Sequence, residues 1–340
     1  MGGTELSRIA VIGAGSWGTA LADLLSQKGL HVDLWVREEE VYRQIRDQGM
    51  NQVFLPNVPL SPRLHPLQTF EEALAGKEVA VLAVPSHVFR GVLGGVSRFL
   101  ESETSVIIAT KGIENDSLKI MSQVAEEILE ERQMGTFACL SGPSFARDVA
   151  RRFPTAVAIA CRDEDHAGEL QRLFHTDFFR VYAGDDLTGT QLGGALKNVI
   201  AIAAGASDGL GFGENARAAL ITRGLAEMTR LGVAMGSNPQ TFAGLAGLGD
   251  LVLTCTGGLS RNRSVGLKVG AGMKLEEVTE GMRMVAEGVK TARSAYELSQ
   301  KLGVSMPITR EVYRILYEGR DPNDAVRELM MRDLKAEREF

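Results

Sequence analysis

Cysteine is scarce in this chain. The three residues Cys139, Cys161 and Cys255 stand far apart and share no metal or redox spacing. That excludes a disulfide framework and points to a reducing, cytoplasmic setting. Long apolar runs are also missing: none reaches the ~18 residues of a membrane span. The first residues carry no basic, apolar, cleavable pattern. Leu6 stands where a myristoylation signal after Met1-Gly2 needs Ser or Thr. A soluble intracellular protein without a membrane span is expected. An excess of positive charge is lacking too. The net charge of −6 argues against a nucleic-acid partner, while leaving room for a local basic pocket that takes a small anion. There is no G-x-S-x-G nucleophile elbow. The five histidines (His31, His65, His87, His166, His175) share no metal spacing, His31 and His65 reading as strand-entry or loop positions, so no metal is expected.

What is present is an ordinary globular composition, 44% hydrophobic and 24% charged, over 340 residues, a length that suggests two domains. The first half alternates short apolar runs with amphipathic stretches. Strands are predicted at Arg8–Gly13, His31–Val36, Val79–Val84, Ser105–Thr110, Thr136–Leu140 and Thr155–Cys161. Helices are predicted at Gly18–Lys28, Lys119–Arg132 and His166–Phe174. This alternation predicts an α/β, doubly wound and mainly parallel sheet. After about Asp186 the strand signals stop. Helical patterns follow at Thr188–Gly205, Asn215–Leu231, Asn238–Gly244, Ser264–Gly270, Val285–Lys301 and Met306–Glu318. The expected division is therefore residues 1–187 as an α/β domain and 188–340 as an all-helical one. Repeats and low-complexity tracts are absent.

The first strand runs into Gly13-Ala14-Gly15-Ser16-Trp17-Gly18 and then an amphipathic helix. A G-x-G-x-x-G in that context is a dinucleotide fingerprint. Gly13 makes the tight turn, Gly15 lets a pyrophosphate reach backbone, and Gly18 allows close packing of helix on strand. The phosphate charge meets the helix N-terminal N–H groups. A ligand-free glycine turn is the competing reading. After the second strand stands Arg37, where an NAD-selective site would carry an acid, which favours a 2′-phosphate and NADP(H). Glu38 and Glu39 leave a plain solvated charge run open as the alternative.

Four polar clusters follow. Lys111 lies just past a strand's carboxyl end, where open α/β sheets bind ligands. Ser141-Gly142-Pro143-Ser144 ends another strand. Leu192-Gly193-Gly194-Ala195-Leu196-Lys197-Asn198 sets an amine and an amide side by side on an otherwise apolar helix, each one turn beyond a glycine. Two mid-helix glycines cost up to about 1 kcal/mol each relative to alanine, and the expected compensation is open space for a substrate. The last cluster, Gly247 to Arg263, reads as a glycine loop entering a helix whose first turn carries Arg261 and Arg263. Arginine there opposes the helix dipole unless an anion, naturally a phosphate, is shared by Arg261, Asn262 and the free N–H groups. Ser144 and Ser260 are equally readable as N-caps. Lys111 alone could be a solvated loop lysine and Asp250 alone a turn residue. Arg263 reads as surface charge, and His87 as a structural or lining residue.

Taken together, Gly13–Gly18, Ala109-Thr110-Lys111-Gly112, Ser141–Ser144, Leu192–Asn198, Gly249-Asp250-Leu251, Ser260–Arg263 and Met284-Val285-Ala286-Glu287-Gly288 resemble the bacterial type of NAD(P)-dependent glycerol-3-phosphate dehydrogenase over nearly the whole chain. Gln191 is one departure, where the family pattern leads one to expect an acid. The resemblance implies an N-terminal Rossmann-like domain, a helical C-terminal domain and a catalytic site between them. It further implies interconversion of sn-glycerol 3-phosphate and dihydroxyacetone phosphate with NAD(H) or NADP(H), supplying phospholipid synthesis, with Lys197 as proton carrier. Lys111, Gly142, Ser144, Asp250, Ser260, Arg261 and Asn262 would contact substrate, joined by Asn198 from the residue reading. Gly13, Gly15, Ser16, Trp17, Gly18, Arg37, Lys111, Ala146, Arg261, Val285 and Glu287 would contact cofactor. A lysine with its ordinary pKa of about 10.4 is a poor acid–base group near neutrality. Partial burial and Lys111 are expected to lower that of Lys197, with Asp250 orienting it. A homodimer is expected. The alternatives are a two-domain NADP-dependent reductase of a carboxylate substrate and a non-catalytic NADP(H)-sensing module.

Overall fold

The computed structural model describes residues 6–129, 137–280, 282, 284, 286–334 and 336–337. The chain divides into two compact units, residues 1–110 with 121–187, and residues 111–120 with 188–340. The segment Lys111–Ile120 therefore belongs with the helical unit. Its Ile113 and Ile120 are buried in that unit's core, and Ser294 Oγ donates to the Ile113 carbonyl at 3.2 Å.

The first unit is built on an eight-stranded sheet. In chain order its strands are β1 (Arg8–Ile12), β2 (His31–Trp35), β5 (Leu64–Leu67), β6 (Val79–Leu82), β7 (Ser105–Ile108), β8 (Ala138–Ser141), β9 (Thr155–Cys161) and β10 (Phe179–Gly184). A small antiparallel pair, β3 (Met50–Asn51) and β4 (Leu55–Pro59), stands apart. The order across the sheet is β10-β9-β8-β7-β6-β1-β2-β5, parallel throughout except between β8 and β9. Helices α1 (Ser16–Gln27), α2 (Glu39–Gln48), α3 (Phe70–Leu74), α4 (Phe89–Val96), α5 (Met121–Glu126), α6 (Ala146–Ala150) and α7 (Glu164–Phe174) connect and cover it. Strands β1 and β6 are buried almost end to end, as a sheet covered on both faces requires. Their alternate residues feed two cores: Ile9, Val11, Val79 and Val81 on one face, Ala10, Ile12, Ala80 and Leu82 on the other.

This is the doubly wound, Rossmann-like architecture expected, with differences in detail. β5 and β10 carry no strand prediction. β5 contains Pro66, tolerable because β5 is the sheet's edge. Thr136 and residues 130–132, where a strand and a helix were expected to begin and end, lie outside the described residues.

The second unit is helical: α8 (Leu187–Gly209), α9 (Gly213–Ala234), α10 (Pro239–Ala243), α11 (Asp250–Thr256), α12 (Arg261–Gly270), α13 (Leu275–Glu280), α14 (Glu287–Leu302), α15 (Pro307–Tyr317) and α16 (Pro322–Met330). Its core gathers on α8, where Leu192, Ala195, Leu196, Val199 and Ile200 are buried among Met228, Leu231, Phe242, Leu251 and Ala295. The stretch expected as a glycine loop from Gly247 is helical instead. Leu245–Gly249 forms a π-helical turn that continues directly into α11. Glycine-rich sequence hid it, since glycine weakens the helix signal even where packing enforces the helix. α13 and α16 are likewise additions to the sequence reading.

Candidate active site

In the first unit the fingerprint glycines divide their work as the motif requires. Gly13 adopts φ +113°, and a Cβ there would stand 2.8 Å from the Ala83 carbonyl oxygen. A Cβ on Gly18 would lie 1.9 Å from the Gly13 carbonyl oxygen, so only glycine lets α1 start so close to the turn. At Gly15, by contrast, a Cβ would meet nothing within 4 Å. Gly15 is the N-cap of α1; it offers no side-chain cap, and the first turn carries no acid. A 12-residue helix thus starts with no side-chain cap and no acid in its first turn, leaving its positive dipole end for an anion, an arrangement suited to a pyrophosphate. Trp17 Nε1 is buried without a hydrogen-bond partner, and Ser16 Oγ donates to the Phe54 carbonyl at 2.6 Å. Arg37 lies exposed two residues beyond β2 and pairs with Glu38 at 2.8 Å.

Further along this unit, Gly142 has φ +139° and packs so tightly that a Cβ would reach Val157 Cα at 2.9 Å. Ser144 donates to the Gly142 carbonyl at 3.0 Å. It does not cap the next helix: Phe145 occupies that position and Ala146 begins α6. His87 is exposed on a short 3-10 turn after β6.

In the second unit Lys197, Asp250, Lys111 and Thr254 form one cluster. Asp250 is fully buried and accepts from two ammonium groups, Lys197 through Oδ1 and Lys111 through Oδ2, the latter at 2.7 Å. Lys197 Nζ also donates to Thr254 Oγ1 at 2.9 Å, and that hydroxyl donates onward to the Asp250 carbonyl at 2.6 Å. Helix geometry explains the convergence. Gly193 and Lys197 are one turn apart on α8, and Asp250 and Thr254 one turn apart on α11. A Cβ on Gly193 would lie 2.3 Å from the Ala246 carbonyl oxygen, so the glycine admits the backbone of the π turn that delivers Asp250. The open pocket floor expected beneath Lys197 is, at Gly193, protein backbone.

The electrostatics of the cluster follow from its burial. Desolvation lowers the Lys197 pKa from 10.5 to about 7; Lys111 pushes it the same way, and Asp250 opposes both. When Lys197 is protonated, two ammoniums around one carboxylate leave positive charge in excess, a setting that favours an anionic or developing oxyanionic ligand.

A second polar network ties the adjoining helices. Asn262 donates to Asn198 Oδ1 at 2.8 Å and accepts from the Gly288 N–H at 2.9 Å, linking α12, α8 and α14. Asn198 also donates to the Gly194 carbonyl at 3.4 Å. Both amides are thus engaged in holding the helices that carry Lys197, Arg261 and Glu287. Ser260 is the N-cap of α12, accepting from the Arg263 N–H at 3.1 Å. Arg263 is not a surface charge. It pairs at 2.6 Å with Asp208, whose side chain is 7% exposed, and Arg217 holds the other carboxylate oxygen at 2.9 Å. Arg261 keeps much of its surface exposed, yet surrounding protein desolvates the guanidinium enough to lower its pKa, with Glu287 acting in the opposite sense. A partly desolvated arginine at a helix N-terminus combines a guanidinium with the helix's positive end, a combination suited to an anion. Val285 lies outside the described residues.

Sequence reasoning missed Thr254 and Asp208. The signal for Thr254 was its i+4 spacing from Asp250, legible only once that stretch is read as helix.

Among known proteins, the model for the NAD-dependent glycerol-3-phosphate dehydrogenase N-terminus matches residues 8–167 and that for the C-terminus residues 186–327. A glycerol-3-phosphate dehydrogenase (NAD(P)+) from Geobacter sulfurreducens is 57% identical over 331 residues, covering 97% of this chain and 99% of the relative. The crystal structure of glycerol-3-phosphate dehydrogenase from Coxiella burnetii superposes with a TM-score of 0.91 at 40% identity, covering 96% and 99% of the two chains. That from Saccharomyces cerevisiae gives 0.81 at 27% identity, covering 96% and 100%. With both family models matched in order along a chain that carries their motifs, the protein belongs to the NAD-dependent glycerol-3-phosphate dehydrogenase family.

Proposed function

We propose that this chain interconverts sn-glycerol 3-phosphate and dihydroxyacetone phosphate as an NAD(P)-dependent dehydrogenase, with Lys197 as the acid–base group. The observation that carries the reading is the buried Lys197–Asp250–Lys111 cluster, in which a lysine is tuned to about 7 in a chain of this family. The nucleotide, held at the Gly13–Gly18 turn with Ser16, Trp17, Arg37 and Ala146 nearby in sequence or fold, supplies or takes the hydride when bound. In reduction, the Lys197 ammonium gives a proton to the carbonyl oxygen as the carbon becomes tetrahedral. In oxidation the neutral amine removes the hydroxyl proton. Asp250 and Thr254 fix the direction of the Nζ–H bonds, and Lys111 adds positive charge beside the reacting oxygen. Arg261, at the start of α12, takes the phosphate together with the N–H groups there. Asn198 and Asn262 contribute by holding these helices in register, each with an N–H left to offer.

NADPH consumption on adding dihydroxyacetone phosphate tests the proposal. Consumption with a 2-keto acid but not with the phosphate would replace it by the carboxylate-reductase reading. NADPH binding without consumption of either would leave a sensing module. Lys197→Met is expected to lower kcat at least about a hundredfold while NADPH affinity holds; near-normal turnover removes Lys197 from the mechanism.

The same proposal includes supply of glycerol phosphate to phospholipid synthesis, a cytoplasmic location and a homodimer. Three buried free cysteines accord with a reducing compartment. No helix among the described residues is long and apolar enough to cross a membrane. Light scattering on the purified chain reads the oligomeric state.

A further inference from the structure

His31 and His65 lie far apart in sequence, but the parallel pairing of β2 with β5 brings them together. In that register Asp33 stands opposite His65. His31 and Asp33 are two residues apart on β2, so their side chains leave the same face of the sheet. The two imidazole rings meet with centroids 4.4 Å apart, and His31 Nδ1 lies 3.7 Å from Asp33 Oδ1. One ligand atom from each of the three residues falls within 4.8 Å of the others. The cluster sits at the amino end of β2, the opposite end of the sheet from the Gly13 turn after β1. It is therefore separate from the nucleotide fingerprint.

We propose that His31, Asp33 and His65 form a surface site for a borderline divalent transition ion of the Zn2+ type, independent of the dehydrogenase chemistry. Donor atoms around such an ion stand about 2.0–2.2 Å from it and hence roughly 3–4 Å from one another. The present donor atoms stand somewhat wider than that, and the two imidazoles that would close on the ion are exposed, while the carboxylate is already held. Asp33 is buried and held through its other oxygen by Lys77, whose side chain is 8% exposed, at 2.5 Å. That ion pair orients the carboxylate as an outer partner orients a metal ligand. It also selects the ion. Lys77 cancels the carboxylate charge that a hard cation would need, and a set of two nitrogens and one oxygen is too poor in oxygen for Ca2+ or Mg2+. Three protein ligands leave one position to water, and the ion would tie the edge strand β5 to β2.

Titration calorimetry of the intact protein with ZnCl2, thiols kept reduced, tests the site. One ion per chain is expected, with a rise in the midpoint of thermal unfolding; CaCl2 and MgCl2 produce neither. Because His31 and His65 are exposed, His65→Ala and His31→Gln leave the fold intact, which circular dichroism checks. Each is expected to weaken Zn2+ binding at least about tenfold and to remove the thermal shift. Dehydrogenase activity of both variants without added metal stays at the wild-type level. Absence of stoichiometric Zn2+ binding in the wild type overturns the proposal. So does equal binding by the His65→Ala variant.

Discussion

The pH dependence of the two reaction directions is the most discriminating consequence of the Lys197 cluster. A lysine with an ordinary pKa of about 10.4 is neutral in roughly one molecule in 2,500 at pH 7, too few for an efficient base. With the pKa lowered to about 7 by burial and by Lys111, about half the molecules carry the neutral amine and half the ammonium. Both the acid and the base form are then abundant at one pH. For reduction, which needs the ammonium, kcat/KM is expected to be flat below about pH 7 and to fall about tenfold per unit above it. For oxidation, which needs the amine, it is expected to rise about tenfold per unit up to about pH 7 and then level. Initial rates of nicotinamide absorbance change in both directions, between about pH 5.5 and 9.5, give the two profiles, and kcat/KM reports the free enzyme's group. The neighbours fix the sign of further shifts. Asp250 raises the Lys197 pKa, so Asp250→Asn moves both limbs to lower pH. Lys111 lowers it, so Lys111→Met moves them to higher pH whatever it does to the maximal rate. Profiles without opposite limbs near pH 7, or a downward move in Lys111→Met, would refute the acid–base assignment.

Arg261→Ala is expected to raise the KM for dihydroxyacetone phosphate by at least about tenfold, the loss of one charge-assisted contact, with a smaller change in kcat. If the variant still prefers the phosphorylated substrate over dihydroxyacetone as strongly as the wild type, Arg261 does not read the phosphate. Gly193→Ala forces a methyl to 2.3 Å from the Ala246 carbonyl oxygen and is expected to destabilise the protein by about 1–3 kcal/mol or more in urea unfolding. An unchanged midpoint would mean that the π turn yields freely. Glu227 accepts from the N–H groups of Ile308 and Thr309 and from the Thr309 hydroxyl, capping α15, whose own N-cap Met306 offers no side-chain bond. Burial raises its pKa from 4.5 to about 7, so the folded state binds more protons between those values and stability falls as pH rises from about 4.5 to 7. The fall is on the order of 3 kcal/mol, and Glu227→Gln is expected to abolish it; a pH slope unchanged in that variant would sink the argument.

The first unit was largely legible because its signals are local. A buried parallel strand is a continuous apolar run, and the fingerprint glycines sit where a strand tip and a helix start must touch. The strands that escaped are those whose residues contradict their state. β5 carries Pro66 and the polar His65 in four residues, and sheet-edge pairing rather than propensity holds it. The same pairing hid the His31–Asp33–His65 cluster, since a register between strands is not written in either strand alone. In the helical unit, besides the missed α13 and α16, the misreading that touches the site lies at Gly244 to Thr256, where glycines scatter the helical period.

That misreading also bears on how the site works. Two glycines on α8 suggested cleared space for a substrate; at Gly193 the space is taken by the backbone of Ala246. The consequence for catalysis is more specific than an open floor. Close approach of the π turn puts Asp250, at the start of α11, and Thr254 one turn later, against Lys197, while the Lys111–Ile120 segment packs with the same unit and brings Lys111 to the carboxylate's other oxygen. Burial alone would push the lysine toward a permanently neutral amine, unable to serve as an acid. Asp250 restores part of the affinity for the proton, and Lys111 limits how far that restoration goes. Enlarging Gly193 should therefore act on the reaction through Asp250. In Gly193→Ala the limbs of both pH profiles are expected to move to lower pH together, as the carboxylate withdraws, and limbs fixed at their wild-type positions would show that the glycine serves packing alone.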